Sequence, residues 1–150
     1  MNRLTKKLDE LQKQNKKALV AYLVAGDPDL DSTLDIMHMF VKSGVDVIEV
    51  GVPFTDPIAE GPIIQRAHDR AITKKTSLED IFDLITKFRL KDNETPVVLM
   101  GYLNSFIFFR NLIEENKNNS VDSILVVDIP GELNIEDYGI KNENINTISL

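Results

Sequence analysis

Glu49 is the side chain in this sequence whose type and position most suggest chemistry. It is the only charged residue in the apolar run Val47–Phe54, VIEVGVPF. An ionised carboxylate is costly to bury without compensation, and desolvation raises the pKa of a carboxyl group toward neutrality. A carboxyl group with such a pKa can both donate and accept a proton near pH 7. We therefore predict that Glu49 acts in acid–base catalysis; a buried ion pair with a lysine or arginine is the alternative interpretation.

Two further carboxylates, Asp56 and Glu60, lie in the loop Phe54–Pro62, which directly follows this run. The loop also contains two prolines and a glycine, which restrict the backbone to a few conformations. A stiff acidic loop could hold a polar or partly cationic group of a substrate. A solvated surface turn explains the same composition, and composition alone favours the turn.

Polar side chains also follow two other apolar runs. Tyr102 and Asn104 come after one run, and Asp128 lies at the end of another. Each of them alone is typical of a hydrogen-bonded structural residue, but together they suggest a site. His38 and His68 lie in helical stretches and are predicted to be solvent-edge or packing residues. No spacing of His, Asp or Glu resembles a metal site, and the sequence has neither a nucleophile elbow nor a phosphate-binding Gly-Lys-Ser/Thr loop.

The elements that must position these side chains are short apolar strands that alternate with helices. The predicted strands are Ala18–Ala25, Asp46–Phe54, Pro96–Tyr102, Val121–Ile129 and, as the start of a fifth strand, Ile145–Leu150. The predicted helices are an amphipathic one at the N-terminus, Ser32–Ser43, one from a capping box at Thr76–Glu79 to Arg89, Ile107–Asn118 and a weak one at Ile135–Ile140. The long segment around Pro57 and Pro62 is predicted to be a loop.

Strands that are apolar on both faces and alternate with helices predict a parallel sheet covered by helices. A doubly wound sheet and a (β/α)8 barrel both fit this pattern. The barrel is favoured because no Gly-x-Gly-x-x-Gly turn follows the first strand, and because polar residues cluster where the strands end, which is the active-site end of a barrel. A complete barrel typically needs about 250 residues. We therefore predict that residues 1–150 form the N-terminal part of a single barrel domain, with strands one to five.

Composition excludes several classes of function. The formal net charge is −7 and no basic cluster is present, which argues against nucleic-acid binding. There are no cysteines, so disulfides and thiolate chemistry are excluded. The N-terminus is polar and no apolar run reaches transmembrane length, so we expect a cytoplasmic protein that does not bind membranes.

Four motifs together resemble the tryptophan synthase alpha subunit family. They are VAGDP (24–28), IEVGVPFTDPIAEGPIIQ (48–65), LMGYLN (99–104) and VVDIP (126–130). The resemblance implies a (β/α)8 barrel that cleaves indole-3-glycerol phosphate to indole and glyceraldehyde 3-phosphate in tryptophan biosynthesis. It also implies that the chain needs no cofactor itself. The partner would be a beta subunit that carries pyridoxal phosphate (PLP) and receives the indole through a tunnel in an alpha2beta2 tetramer.

The resemblance also implies roles for individual residues. Glu49 matches the catalytic acid–base glutamate of the family. Glu60 stands where the family usually has an aspartate that accepts the indole N–H, and its extra methylene should either displace the loop or lower the rate. The residues expected to line the substrate pocket are Tyr22, Met100 and Tyr102. Those expected at the subunit interface or in loop support are Asp56, Asn104 and Asp128.

The sequence also departs from the family pattern. It lacks the loop after strand six that closes over the substrate and the amides after strands seven and eight that bind phosphate, so the isolated 150-residue chain is expected to have little or no lyase activity. The segment Pro130–Leu150 is short, so the fourth helix should be reduced. One alternative is a non-catalytic alpha-like subunit that binds and activates the beta subunit. Another is a different barrel lyase or isomerase that reuses Glu49, but the long proline-containing motif argues against it.

Overall fold

Five short strands form one parallel sheet in the computed structural model, which describes residues 2–116, 120–130, 132–133, 135–140 and 145–149. The order of the strands in the sheet is their order in the sequence. The strands are β1 Val20–Val24, β2 Val47–Gly51, β3 Val97–Gly101, β4 Ser123–Val126 and β5 Asn146–Ser149. The helices are α1 Arg3–Lys13, α2 Leu30–Lys42, α3 Pro62–Thr73, α4 Leu78–Arg89, α5 Leu103–Phe108, α6 Arg110–Glu115 and a 3-10 helix at Ile135–Tyr138.

The register of the strands separates two faces of the sheet. Tyr22 pairs with Glu49, which pairs in turn with Val98, so these three side chains share the face that we call the inner face. The intervening residues, including Val50 and Leu99, point to the outer face. Strands β1, β2 and β3 are largely apolar on both faces and show no regular alternation in the sequence, which is typical of a parallel sheet that is covered on both sides.

Helices α2 and α4 cover the outer face and form the main core with it. Ile81, Ile85 and Phe88 of α4 are fully buried in the same cluster as Val50 and Leu99. The apolar spacing along α4 places these side chains on one stripe of the helix. The core therefore holds the outer side of the sheet rigid.

Helices α1 and α3 pack against opposite ends of the inner face. Leu4 of α1 is buried with Val47 and Val98 near the N-terminal ends of the strands. Ala67 and Ala71 of α3 are buried against β1. Glu49 lies on the inner face next to both groups and is half-buried.

A buried ion-pair network joins four elements at the N-terminal end of the sheet. The side chain of Asp122, which is 1% exposed, accepts from Arg3 Nη1 at 3.0 Å and from Arg89 Nη2 at 2.9 Å. It also accepts from the backbone N–H of Val97 at 2.9 Å. Arg89 donates further to the carbonyl oxygen of Thr95 at 2.6 Å. Burial lowers the pKa of Arg89 to about 10, so this guanidinium stays charged at neutral pH. The carboxylate of Asp122 is therefore paired with two guanidinium groups, and the buried charge of Arg89 has a partner.

Most predicted elements are confirmed, with shorter bounds. The amphipathic first helix, the five strands and the helix ending at Arg89 are present, and the weak helical stretch before β5 is a 3-10 helix. The predicted capping box was misplaced by one residue: Ser77 caps α4 and Asp80 completes the box, because the Asp80 side chain accepts from the Ser77 N–H at 2.9 Å. Leu150 lies outside the described residues.

Two predictions about helices were wrong. The single helix Ile107–Asn118 is instead the pair α5 and α6, separated at Phe109, and residues 117–119 lie outside the described part. Helix α3 was not delimited, because Pro62 was assigned to a loop. Pro62 is in fact the first residue of α3, a position at which the missing N–H of proline costs nothing. Among the residues that the structure describes, no helix combines the length and apolar character needed to cross a bilayer.

We expect Asp122→Asn to lower the free energy of unfolding by about 3 kcal/mol, because it removes the carboxylate that is paired with the buried guanidinium of Arg89. Urea unfolding, which does not screen charges, measures the loss. Glu94→Gln is the matched control: Glu94 is 81% exposed and pairs with Lys6 at 3.3 Å, so its loss should stay below about 1 kcal/mol. Equal, small losses in the two variants would contradict a structural role for the network.

Candidate functional site

The carboxyl end of the sheet brings together side chains from β1, β2 and the loop that follows β2. Tyr22 and Glu49 face each other in register, and Gly51 and Met100 occupy the next position on the inner face. A Cβ atom on Gly51 would lie 2.2 Å from Tyr22 Oη. The glycine therefore allows the Tyr22 ring to lie across β2, close to the loop.

Glu49 is a half-buried carboxyl group with no direct partner among the residues that the structure describes. Within the described residues its carboxylate makes no hydrogen bond and no ion pair, so the alternative of a lysine or arginine partner does not hold there. Burial raises its pKa above the ordinary glutamate value. A carboxyl group of this kind can exchange a proton near neutral pH.

Glu60 is turned inward from its loop and held by hydrogen bonds. The Tyr102 hydroxyl donates to Glu60 Oε2, and the N–H of Ala59 donates to Tyr102 Oη at 2.9 Å. The Glu60 side chain is 8% exposed. Burial, together with the hydrogen bond to Glu60, raises the pKa of Tyr102 to about 12. Tyr102 therefore stays protonated and can keep donating to the Glu60 carboxylate.

The loop that carries Glu60 is only partly a solvated turn. Gln65 Nε2 of α3 donates to the carbonyl oxygens of Glu60 at 3.0 Å and Pro57 at 3.4 Å. The Phe54 ring stacks on Tyr102 with centroids 4.6 Å apart. Asp56, by contrast, is exposed. The composition favoured a solvated turn, and most residues of the loop are exposed, but Pro57 is buried and the Glu60 side chain is turned inward.

His68 is the residue of this site that the sequence analysis missed. It is 1% exposed, and its Nδ1 accepts from the backbone N–H of Phe54 at 3.1 Å. Its Nε2 lies 3.5 Å from Tyr22 Oη and 3.7 Å from Glu60 Oε1. Burial lowers the pKa of His68, although the neighbouring carboxylates of Glu60 and Asp69 oppose this shift.

A signal for His68 was present in the sequence. Ile64, Ala67 and Ala71 form an apolar stripe at helical spacing, and His68 lies on that stripe. Recognising Pro62 as the first residue of a helix would have placed His68 on its buried side. His38 is different: it stacks on Phe88 at 5.0 Å and is a packing residue, as predicted.

The carboxylates of Glu49 and Glu60 both lie near the hydroxyl group of Tyr22. Its pKa is raised, chiefly by burial and then by the negative charges of Glu60 and Glu49. Both carboxylates therefore act on the same hydroxyl group, although they come from a strand and a loop. The site combines two acidic side chains with aromatic rings.

The remaining candidates lie in different settings. Met100 is half-buried on the inner face beside Gly51. Asp128 accepts from the N–H of Leu103 at 2.7 Å and so supports the start of α5. Asn104 is exposed. The described residues contain no cluster of three or more His, Asp or Glu side chains that could hold a metal ion.

This arrangement suits acid–base chemistry on a flat, largely apolar substrate. Glu49 can supply and recover a proton, because its pKa is raised and no partner among the described residues holds its carboxylate. Glu60, fixed by Tyr102, can stabilise positive charge or accept an N–H. The aromatic rings of Tyr22 and Phe54 offer an apolar wall.

Comparison with known proteins adds the family context. The model of the family described as tryptophan synthase alpha chain matches residues 8–150. The tryptophan synthase alpha chain of Alkalilimnicola ehrlichii is 48% identical over 134 residues, which cover 88% of this chain and 49% of that protein. The corresponding chain of Nitrosomonas europaea is 42% identical and is matched over 100% of this chain and 56% of its own length. This chain thus spans about half the length of the curated relatives that it matches.

Solved structures agree with these matches. Tryptophan synthase subunit alpha from Legionella pneumophila superposes with a TM-score of 0.86 at 39% identity, covering 95% of this chain and 57% of that one. A chain of the tryptophan synthase complex from Pyrococcus furiosus gives a TM-score of 0.75 at 38% identity, covering 88% and 55%. The predicted fold class, five strands of a (β/α)8 barrel, is confirmed.

We expect Glu49→Gln to raise the stability of the fold at neutral pH. The pKa of Glu49 is higher in the folded than in the unfolded state, so its contribution to stability is present while the group is protonated and is lost as the pH rises through the folded-state pKa. Glutamine stays neutral, so its advantage should be absent near pH 4 and appear by about pH 8. Urea unfolding across this range tests it, with the exposed Glu94→Gln as the control. A difference that does not change with pH would contradict the raised pKa.

Proposed function

The chain belongs to the tryptophan synthase alpha chain family, and we propose that the protein cleaves indole-3-glycerol phosphate to indole and glyceraldehyde 3-phosphate in tryptophan biosynthesis. The observation that carries this proposal is the half-buried carboxyl group of Glu49, with its raised pKa, on the inner face of the strand that leads into the Phe54–Pro62 loop. A second carboxylate, Glu60, lies in the loop that follows the same strand. The reaction needs both an acid–base group and an acceptor for the indole N–H.

In the proposed mechanism Glu49 acts twice. Its carboxyl group first protonates C3 of the indole ring, which leaves positive charge centred on the ring nitrogen. The bond between C3 and the glycerol side chain then breaks, and its electron pair returns to the ring and restores the aromatic indole. The Glu49 carboxylate takes the proton of the glycerol hydroxyl as the aldehyde C=O forms. Glu49 thus ends in its initial protonation state.

The proposed role of Glu60 is to accept the indole N–H and oppose the charge that develops on the ring. Tyr102, hydrogen-bonded to Glu60, would orient that carboxylate and border the substrate pocket. Tyr22 and Met100, on the inner face of the sheet, would line the rest of the pocket in this part of the barrel. An acceptor that is fixed before the charge appears lowers the barrier more than one that must reorganise.

We also propose a partner. The Pyrococcus furiosus neighbour is described as a tryptophan synthase complex, which supports a beta subunit as the partner of this chain. Asp56 and Asn104 are exposed at the active-site end and would contact that subunit, whereas Asp128 would support α5. The complex would be an alpha2beta2 tetramer in the cytoplasm, with PLP bound by the beta subunit and no cofactor in this chain. Residues 1–150 would form the N-terminal part of a single barrel domain.

Glu49→Gln in the natural full-length chain should lower the rate of indole release by roughly 10²–10⁴-fold, because glutamine can neither give nor take the proton. Indole release from indole-3-glycerol phosphate is measured with and without a beta subunit. Glu94→Gln, at the opposite end of the sheet, should keep the parent rate.

Two results would contradict the proposal. Retained turnover in Glu49→Gln would exclude the acid–base role. A parent protein that releases no indole but stimulates tryptophan formation by the beta subunit would instead identify a non-catalytic, activating alpha-like subunit.

A further inference from the structure

We propose that His68 is a positioning residue of this site, which anchors the Phe54–Pro62 loop through Nδ1 and directs its Nε2–H toward Tyr22 and Glu60. Through these contacts it would fix the Glu60 carboxylate in place. The catalytic consequence of this inference rests on the proposed function. The hydrogen-bonding arrangement of the imidazole is inferred from the structure and is independent of that function.

The first support is the placement of His68 on a rigid element. Helix α3 spans Pro62–Thr73, and its buried stripe fixes the helix against β1 through Ala67 and Ala71. His68 is next to Ala67 on that stripe and is itself 1% exposed. A side chain so enclosed has few rotamers available, so its ring nitrogens point in defined directions.

The second support is the tautomer that the contacts require. The backbone N–H of Phe54 is a donor, so Nδ1, at 3.1 Å, must offer a lone pair. A neutral imidazole with an unprotonated Nδ1 carries its proton on Nε2. Burial lowers the pKa of His68 and so favours this neutral form. The loop backbone thereby determines which ring nitrogen bears the proton.

The third support is what Nε2–H faces. Tyr22 Oη lies 3.5 Å away and Glu60 Oε1 lies 3.7 Å away. Both separations are longer than an ordinary hydrogen bond. At these distances the N–H dipole still attracts both oxygens, and a small movement of the Tyr22 or Glu60 side chain toward His68 would form a direct hydrogen bond. Glu60 Oε2 is already engaged by Tyr102. Tyr102 therefore holds the carboxylate through Oε2, and the N–H of His68 faces Oε1 without a direct hydrogen bond.

These contacts make His68 a positioning residue and not a catalytic one. The side chain is enclosed by Tyr22, Phe54 and Glu60, and its exposed fraction of 1% leaves no room for contact with a substrate. Its effect on the reaction would pass through Glu60. Since Glu60 is proposed to oppose charge that develops only in the transition state, loss of His68 should lower kcat more than it changes KM.

Three substitutions separate the two contacts. His68→Asn keeps an acceptor near the position of Nδ1 and removes Nε2–H. His68→Gln keeps an N–H near the position of Nε2 and removes the Nδ1 acceptor. His68→Leu removes both. His38→Asn is the matched control, because His38 stacks on Phe88 of α4 and, within the described part of the chain, makes no hydrogen bond or ion pair with Tyr22, Phe54 or Glu60.

In the natural full-length chain we expect His68→Asn to lower kcat for indole release by about 10- to 100-fold, with a much smaller change in KM. His38→Asn should keep the parent kcat. In a Glu60→Gln background, His68→Asn should cause little further loss, because both residues act through the same carboxylate. Additive losses, or a parent-like kcat in His68→Asn, would overturn the positioning role.

A second measurement does not depend on turnover. Nitrogen NMR of the imidazole at neutral pH should show an unprotonated Nδ1 and a protonated Nε2 for His68, and Glu60→Gln should shift the Nε2 resonance. The opposite tautomer, a charged ring or an unshifted Nε2 resonance would overturn the inference. If the parent chain releases no indole, the proposed function fails, and the NMR result alone decides the role of His68.

Discussion

The buried carboxylate of Asp122 is the interaction on which the rest of the structure depends. It receives hydrogen bonds from Arg3, Arg89 and the backbone of Val97, so α1, α4, β3 and β4 are fixed to one another at one end of the sheet. Parallel strands have no tight turn between them to set their register. A directional ionic contact at the start of β3 and β4 supplies that constraint, and the helices of the core preserve it along the strands.

The two ends of the sheet differ in whether their buried charged side chains have ion-pair partners. At the N-terminal end, the carboxylate of Asp122 is paired with the guanidinium groups of Arg3 and Arg89. At the carboxyl end, no residue among those described pairs with the carboxylate of Glu49, and burial raises its pKa. A buried pair contributes to a unique arrangement of the elements, whereas an unpaired carboxyl group costs stability and gains reactivity. The ion-paired end of the sheet thus fixes the strands that carry Glu49, the proposed acid–base group.

The sequence predicted what depends on local pattern and missed what depends on distant contacts. The strands and the importance of Glu49 follow from apolar runs and from one charge within them. The role of Asp122 could not be predicted, because its partner Arg89 is 33 residues away and Arg3 is 119 residues away. His68 was missed for the same reason: its contact with Phe54 spans 14 residues and requires knowing where α3 begins.

Glu60 shows what the structure adds to a prediction made from the family pattern. The resemblance implied that a side chain one methylene longer than aspartate should displace the loop or slow the reaction. In the structure the Glu60 side chain reaches the Tyr102 hydroxyl with Oε2, while Oε1 lies 3.7 Å from His68 Nε2 without a direct hydrogen bond. A carboxylate oxygen can accept more than one hydrogen bond. In the proposed reaction Oε1 would accept the indole N–H, while the hydrogen bond from Tyr102 to Oε2 would orient the carboxylate. The effect of the additional methylene on the loop and on the rate stays a prediction.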